Sequence, residues 1–205
     1  DLATGSSGSD VAAISSGVTL RVVDGEPDPH VWLDADNAQV MIENVAAALS
    51  AADPDGAEAY GEAAHAYVAR VQAADRAAAA AIGPVPPGDR VVITNHDSLG
   101  YLLDRYEIRS AGSVIPGLST AAEPSARDIA GLIRAIRQGK VRLIIAEGSV
   151  EPRIARQIAA DTGATIIDDL YGDTLGEPGT PTGTIDGVIL FDVERIAEGL
   201  LAAGY

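Results

Sequence analysis

The chain has 205 residues, of which 14 are Lys or Arg and 30 are Asp or Glu, so its formal net charge is −16 at pH 7. That balance argues against nucleic acid or an anionic membrane as a partner, because both are bound by clustered cations. The sequence contains no Cys, which excludes disulfides and thiolate metal sites, and its 47% hydrophobic residues are enough to form a core.

The first part of the chain is predicted to be mainly helical after an irregular start. Residues 1–10 have the composition of a polar loop, and Asp34 stands where the N-cap of a helix is expected. Alanine-rich sequence with apolar residues three and four apart predicts one long helix. In chain order the predicted elements are one or two strands in 10–23, a turn at 24–29, a helix from 35 to about 52 and the long helix at 57–82.

From Asp89 onward the pattern changes to short apolar strands that alternate with helices. Strands of about five residues that are apolar on both faces are typical of a parallel sheet covered by helices on both sides, so the fold class is α/β. The strands are predicted at 90–94, 113–115, 141–146 and 164–167, and the helices at 98–106, 125–138, 152–161 and 185–203.

Two of the three histidines lie at the ends of predicted elements. His96 directly follows the strand at 90–94, and the carboxyl edge of a parallel sheet is where ligand-binding groups gather. His30 lies between a turn and a helix, and neutral imidazoles from separate loops can bind a divalent transition metal. The alternative is that both are ordinary loop or capping residues. His65, in the middle of the long helix, is expected to be structural or at the surface.

Carboxylates near the same sheet edge complete the candidate site. Asp173, in the loop after the last strand, is best placed to face a cleft. Asp168 and Asp169 come sooner after that strand and are expected to cap backbone amides. Glu147 follows another strand and is expected to accept a hydrogen bond from an imidazole N–H, or else to form a salt bridge or a helix N-terminal contact.

Six segments together carry a family resemblance, although no single one is specific. In their order along the chain they resemble the metal-binding substrate-binding proteins of bacterial zinc and manganese ABC transporters. The segments are DPHVWLD (28–34), NHDSLGYLLDRY (95–106), STAAEPSARDIAGLIRAI (119–136), AEGSVEPRIARQIAADTGA (146–164), DDLYGDTLGEPG (168–179) and TIDGVILFDVERIAEGL (184–200).

The resemblance implies a two-lobed α/β protein with a metal between its lobes and a long backbone helix connecting them. Residues 1–33 would then be the remnant of an N-terminal lobe, 34–88 the helical connector, and 89–205 the C-terminal α/β lobe. Family members take a further histidine from the N-terminal lobe, and none of the 29 residues before His30 is a histidine. We therefore expect the chain to be a piece of a longer protein.

The same resemblance implies the metal ligands. His30 matches the histidine of a D-P-H-x-W motif, and His96 matches the ligand of an H-D-x-x-G-Y motif, which is glutamate in some manganese-binding members. Asp173 matches the carboxylate of a late D-[ST]-L loop. Two imidazoles and a carboxylate suit both Zn²⁺ and Mn²⁺, and the affinity order of divalent ions favours zinc. Zinc is the predicted ion, with manganese as the alternative.

The implied function is capture of a divalent metal outside the cytoplasm and its delivery to an ABC permease. A non-enzymatic monomer is expected, in the periplasm or at the cell surface, with a lipid anchor in the full-length protein. Binding should weaken below about pH 6 if the imidazoles titrate near 6.5. The alternatives are a metal-dependent hydrolase, with Asp97 or Glu147 as general base, and an adhesin-like structural domain. Hydrolase and P-loop motifs are absent from the sequence.

Overall fold

The computed structural model describes residues 11–115, 117–118, 124–148 and 151–204. The predicted polar loop at 1–10 lies outside the described residues. The described strands are β1 (Val22–Val23), β2 (Glu26–Pro27), β3 (Val91–Thr94), β4 (Arg109–Ser113), β5 (Leu143–Glu147) and β6 (Thr165–Leu170). The α-helices are α1 (Ala35–Ala52), α2 (Ala57–Ile82), α3 (Gly100–Arg105), α4 (Ala126–Arg137), α5 (Arg153–Thr162) and α6 (Ile185–Ala202).

Four parallel strands form the main sheet, in the order β4-β3-β5-β6. Successive side chains of a strand point to opposite faces, and here both faces are buried. Val92, Leu143 and Ile145 face one hydrophobic core, which includes residues of α2, α3 and α6. The side chains that alternate with these along β3 and β5, Val91, Ile93 and Ile144, face a second hydrophobic core under α4 and α5. The predicted α/β class, a parallel sheet covered by helices, is confirmed.

The long helix α2 has the predicted bounds and packs against α1 and α6. The predicted N-cap of α1 is also present, because Asp34 Oδ1 accepts hydrogen bonds from the amides of Asp36 and Asn37 at 2.8 and 2.9 Å. Arg105 connects α3 to α2 through Asp75, at 2.6 Å. None of the helices among the described residues is long and apolar enough to cross a bilayer.

The predicted strands in 10–23 are largely wrong. Only Val22–Val23 is a strand, and it pairs with Glu26–Pro27 in a short antiparallel hairpin. The residues before it make no ladder, because side-chain amides of Asn37 and Asn44 on α1 bind their backbone carbonyls instead. The β-branched residues that suggested strands have no neighbouring strand. The hairpin leads directly into the segment that carries His30.

Two strands differ from the prediction by more than two residues at one end. The first strand after α3 is Arg109–Ser113, earlier than 113–115, because the polar sequence of this edge strand gives no apolar signal. The last strand continues to Leu170 and so includes Asp168 and Asp169. Their predicted role as amide caps is wrong, because their side chains form ion pairs across the surface with Arg156 (2.6 Å) and Arg195 (3.1 Å).

Candidate metal centre

The three ligands predicted from the sequence converge on one point. One donor atom each from His30, His96 and Asp173 lies within 4.8 Å of the others, and the described residues contain no second cluster of this kind. Asp173 lies between the histidines, with Oδ1 3.6 Å from His30 Nε2 and Oδ2 3.4 Å from His96 Nε2. Ligands at 2.0–2.1 Å from a tetrahedral zinc ion are about 3.3 Å apart, so this spacing fits a shared ion.

His96 is placed by the carboxyl edge of the parallel sheet. It follows β3 by two residues and is 1% exposed. Glu147 ends the neighbouring strand β5, so the two side chains meet at that edge, with His96 Nδ1 3.2 Å from Glu147 Oε1. Among the described residues, His96 Nδ1 makes no hydrogen bond to this oxygen or to any other acceptor. The predicted hydrogen bond from an imidazole N–H to Glu147 is therefore not made, although the two side chains are in contact. The hydroxyl of Ser98 donates to the same carboxylate.

His30 is oriented by a carboxylate two residues before it. Asp28 Oδ1 accepts a hydrogen bond from the backbone amide of His30 at 3.1 Å and lies 2.6 Å from its Nδ1. Because the carboxylate can only accept, Nδ1 carries the proton and the lone pair of Nε2 faces Asp173. Asp28 is fully buried and His30 is 5% exposed. The imidazole is therefore held in the tautomer that a metal requires.

The loop that carries Asp173 is held by two buried carboxylates, Asp192 and Glu147. Asp192, on α6, accepts hydrogen bonds from the amides of Tyr171 and Gly172, both at 3.0 Å. Glu147 Oε2 accepts from the amide of Asp173 at 3.1 Å. The same Glu147 carboxylate therefore contacts His96 and positions the Asp173 backbone.

Gly172 allows this loop to approach Glu147 closely. Its φ is +45°, and a Cβ at this position would overlap the Glu147 carboxylate. The indole of Trp32, which follows His30 in the same segment, donates to the carbonyl of Gly172 at 3.2 Å. The His30 segment and the Asp173 loop are thus joined directly.

Electrostatics couple His96 to Asp173. Burial alone would lower the pKa of His96, but its interactions with the carboxylates of Asp173 and Glu147 outweigh that effect and raise the pKa to about 9. The hydrogen bond from His96 in turn lowers the pKa of Asp173 against the effect of burial. At neutral pH a proton on His96 therefore competes with a metal for Nε2. The pH range of this competition lies above the value near 6 expected from unperturbed imidazoles.

Comparison with known proteins identifies the family of the chain. The protein-family model ZnuA, described as "Zinc-uptake complex component A periplasmic", matches residues 2–199. The chain belongs to this family. The metal ABC transporter substrate-binding lipoprotein ScbA of Streptococcus cristatus is 29% identical over 196 residues, covering 93% of this chain and 63% of the relative. The chain therefore spans less than two-thirds of that relative.

This ZnuA-family chain is similar to two solved structures of periplasmic metal-binding proteins. The Mn-bound periplasmic metal binding protein of Candidatus Liberibacter asiaticus superposes with a TM-score of 0.82 at 26% identity, covering 97% of this chain and 74% of the other. The periplasmic zinc binding protein TroA of Treponema pallidum gives a TM-score of 0.82 at 26% identity, with coverage of 91% and 70%. The resemblance stated from the six sequence segments is confirmed.

The remaining sequence candidates lie outside the donor cluster of this ZnuA-family chain. His65 is exposed on α2, as expected. Asp97 Oδ1 lies 3.8 Å from the guanidinium of Arg21, and burial raises the pKa of its carboxyl group. The division of the chain at residues 33/34 and 88/89 stays a prediction.

Sequence reasoning missed two buried carboxylates that hold the site, Asp28 and Asp192. For Asp28 a signal existed, because an Asp two residues before a histidine can bind that residue's amide across the intervening proline. Asp192 gave no signal, since it lies in the middle of a helix among apolar residues. Burial raises its pKa to about 7.

Proposed function

We propose that the chain binds a divalent transition-metal ion between His30 Nε2, His96 Nε2 and the Asp173 carboxylate. It would do so as the metal-capturing part of an ABC transporter substrate-binding protein. The observation that carries this proposal is the convergence of the three donor atoms within 4.8 Å. The buried setting of both imidazoles supports it, because a polar group is seldom buried without a partner.

Zinc is the ion we propose, with manganese as the alternative. Two nitrogen donors and one oxygen donor form a borderline set, and the affinity order of divalent ions favours zinc over manganese. The separations of 3.4 and 3.6 Å between donors also suit tetrahedral zinc. Three protein donors leave one tetrahedral position for a further ligand, which the family resemblance assigns to a histidine of a preceding lobe. The solved relatives include a manganese-bound and a zinc-binding protein.

The contacts of the nearby carboxylates favour metal binding without catalysis. A hydrolase needs a general base that faces a metal-bound water. Glu147 contacts Ser98, His96 and the amide of Asp173, and Asp97 is directed toward Arg21. Neither predicted base is therefore free for proton transfer. We propose that the protein is not an enzyme.

A purely structural role for the histidines has less support. His30 precedes the 3₁₀ turn Val31–Leu33, yet its side chain makes no capping hydrogen bond there. Nor does His96 cap α3, which begins at Gly100. Instead, the Nε2 atoms of both rings face one carboxylate. That arrangement suits a shared ion better than two independent caps.

Family membership supports the proposal that the ion is delivered to a membrane permease. The family description names the periplasm and the curated relatives are lipoproteins, so an extracytoplasmic location goes with this role. We propose an ABC permease as the partner and a monomer as the binding unit. The net charge of −16 favours the approach of cations. Salt screens this attraction at distances beyond about 8–10 Å.

Calorimetric titration with Zn²⁺ and, separately, with Mn²⁺ tests the proposed function. One ion should bind per chain, with higher affinity for zinc. Asp173→Asn should weaken binding, whereas the matched variant Asp169→Asn, at a surface ion pair, should not. Zinc-loaded protein should not hydrolyse ester or phosphoester substrates. Absence of stoichiometric binding, or equal affinity in the two variants, would overturn the proposal.

A further inference from the structure

Arg21 connects the two segments that carry the histidine ligands. Its Nη1 donates to Asp28 Oδ2 at 3.0 Å, and its Nε donates to Asp104 Oδ2 on α3 at 2.9 Å. Asp28 is the residue that orients His30, whereas α3 follows the loop that bears His96. We call these three residues, Arg21, Asp28 and Asp104, the Arg21 bridge.

The backbone around the Arg21 bridge is equally well fixed. The amide of Arg21 donates to the Tyr101 hydroxyl at 2.8 Å, and that hydroxyl donates to the carbonyl of Asp28 at 3.0 Å. The amide of Asp28 donates to the carbonyl of Arg21 at 2.9 Å across the β1–β2 hairpin. Arg21 and Asp28 are therefore placed against α3 by contacts that do not involve the ligands themselves.

The two carboxylate oxygens of Asp28 have different partners. Oδ2 binds the guanidinium of Arg21, while Oδ1 binds His30. The Asp28 side chain is fully buried, so each oxygen depends on its protein partner. Removing the guanidinium would leave Oδ2 buried without a donor, and the carboxylate would then gain by turning away from its present orientation. The hydrogen bond to His30 Nδ1 would be lost in that rotation.

Gly100 leaves the space that the guanidinium of Arg21 occupies. A Cβ at Gly100 would overlap Nη1 and Cζ of Arg21. The φ of Gly100 is not among the positive values, and it is the first residue of α3, so alanine suits its backbone. Gly100→Ala would thus displace Arg21 while keeping its charge in the protein.

We infer that Arg21 is a positioning residue for the metal site, which holds Asp28 so that His30 presents Nε2 to the ion and ties that segment to the His96 loop. This inference rests on the proposed function for the part that concerns metal. The orientation of His30 by Asp28 can be measured without any metal.

The first arm of the test measures the His30 tautomer by ¹⁵N NMR of the ring nitrogens in the 205-residue chain without metal. The unsubstituted chain should have the proton on Nδ1, as the contact with Asp28 requires. In Arg21→Ala and in Gly100→Ala the population with the proton on Nε2 should grow. The ring signals of His65, which is exposed on α2, should stay the same. An unchanged His30 tautomer in both variants would overturn the inference.

The second arm measures zinc affinity in the same variants. Loss of a partner that orients a metal-binding histidine typically costs 10–100-fold in affinity, and we expect about tenfold for Arg21→Ala and Gly100→Ala. Arg21→Lys should show a similar loss, because an ammonium group lacks the planar fork that spans Asp28 and Asp104. Full affinity in Arg21→Lys would mean that charge alone suffices, and would overturn the bridging role.

Matched controls separate positioning from general stability. Arg195→Ala removes an arginine whose side chain is 31% exposed, close to the 27% of Arg21, and Gly131→Ala adds a methyl group within a helix. Both should keep the His30 tautomer and zinc affinity. Thermal unfolding shows whether each variant is folded. If Arg21→Ala has no unfolding transition, the result for Gly100→Ala decides the test. If the unsubstituted chain binds no zinc, the proposed function fails, and the tautomer measurement still decides whether Arg21 positions His30.

Discussion

Asp173 Oδ2 lies 3.4 Å from Nε2 of His96, and this contact is the centre of the site. The same nitrogen that would bind a metal is the one that shares a proton with the carboxylate. The other oxygen of Asp173 faces His30 Nε2 at 3.6 Å. The position of one carboxylate between two imidazoles therefore defines where an ion would bind. It also means that a proton on His96 Nε2 would compete with that ion.

Replacement of His96 should abolish most of the metal affinity. His96→Ala removes a proposed ligand, so the loss should exceed the roughly 10–100-fold typical of losing a partner of a ligand. His65→Ala, on the exposed face of α2, should leave the affinity unchanged. Calorimetric titration with Zn²⁺ measures both. Equal effects of the two substitutions would contradict the assignment of His96.

Metal affinity should rise with pH well above the range of an unperturbed imidazole. Because the pKa of His96 is raised to about 9, the metal must displace one proton at neutral pH. The logarithm of the apparent affinity should therefore increase by about one per pH unit between pH 7 and 9, and then level off. Glu147→Gln removes one of the groups that raise this pKa, so its profile should level off at a lower pH.

Titration in buffers of different ionisation enthalpy checks the same point. About one proton should be released for each zinc ion bound at pH 7.5. Release of no proton would show that His96 is already neutral there, in conflict with its contacts to Asp173 and Glu147.

The sequence was enough to predict the elements and residues that follow strong local rules. The long helix at 57–82 was predicted to the residue, because its alanines and apolar spacing act over many turns. Asp34 was recognised as an N-cap for the same local reason. His96 could be placed because it directly follows a buried strand, and parallel strands end at a common edge.

What the sequence could not provide depends on contacts between distant segments. Asp168 and Asp169 belong to a strand rather than to the loop after it, because Arg156 and Arg195 pair with their charges along the strand. The role of Asp192 depends on where α6 packs against the loop after β6. Neither relationship has a local pattern, so each needed the tertiary structure.

The free energy of unfolding should depend on pH through the titration of Asp192. Burial raises its pKa to about 7, so the folded state holds this proton more tightly than the unfolded state. Its contribution is most favourable below the unfolded pKa near 4, and it is lost as the pH rises through 7. Since one pKa unit corresponds to 1.36 kcal/mol, this group should cost about 2–3 kcal/mol of unfolding free energy between pH 5 and 8.

Urea unfolding of Asp192→Asn at pH 5 and pH 8 measures that contribution. The difference in unfolding free energy between the unsubstituted chain and the variant should shift with pH by the same amount. Asp169→Asn, at an exposed ion pair, should show a shift of less than about 1 kcal/mol. A pH-independent difference for Asp192→Asn would mean that Asp192 titrates in the ordinary range.

Gly172→Ala should disturb the proposed metal site as well as the fold. Its Cβ would overlap Glu147, so the loop that carries Asp173 would move away from the histidines. Gly163→Ala is the matched control, because Gly163 also has a positive φ, +74°, but has nothing near a Cβ. Both should lose about 1–2 kcal/mol of stability from backbone strain. Only Gly172→Ala should also lose zinc affinity, and equal affinity in the two would contradict the role of this loop.

Anomalous X-ray diffraction from zinc-loaded crystals tests the central claim most directly. A single strong zinc peak should lie 2.0–2.2 Å from His30 Nε2, His96 Nε2 and an Asp173 carboxylate oxygen, the range of zinc bonds to nitrogen and oxygen. A peak elsewhere on the chain, or a zinc ion bound by only one of these three residues, would contradict the account.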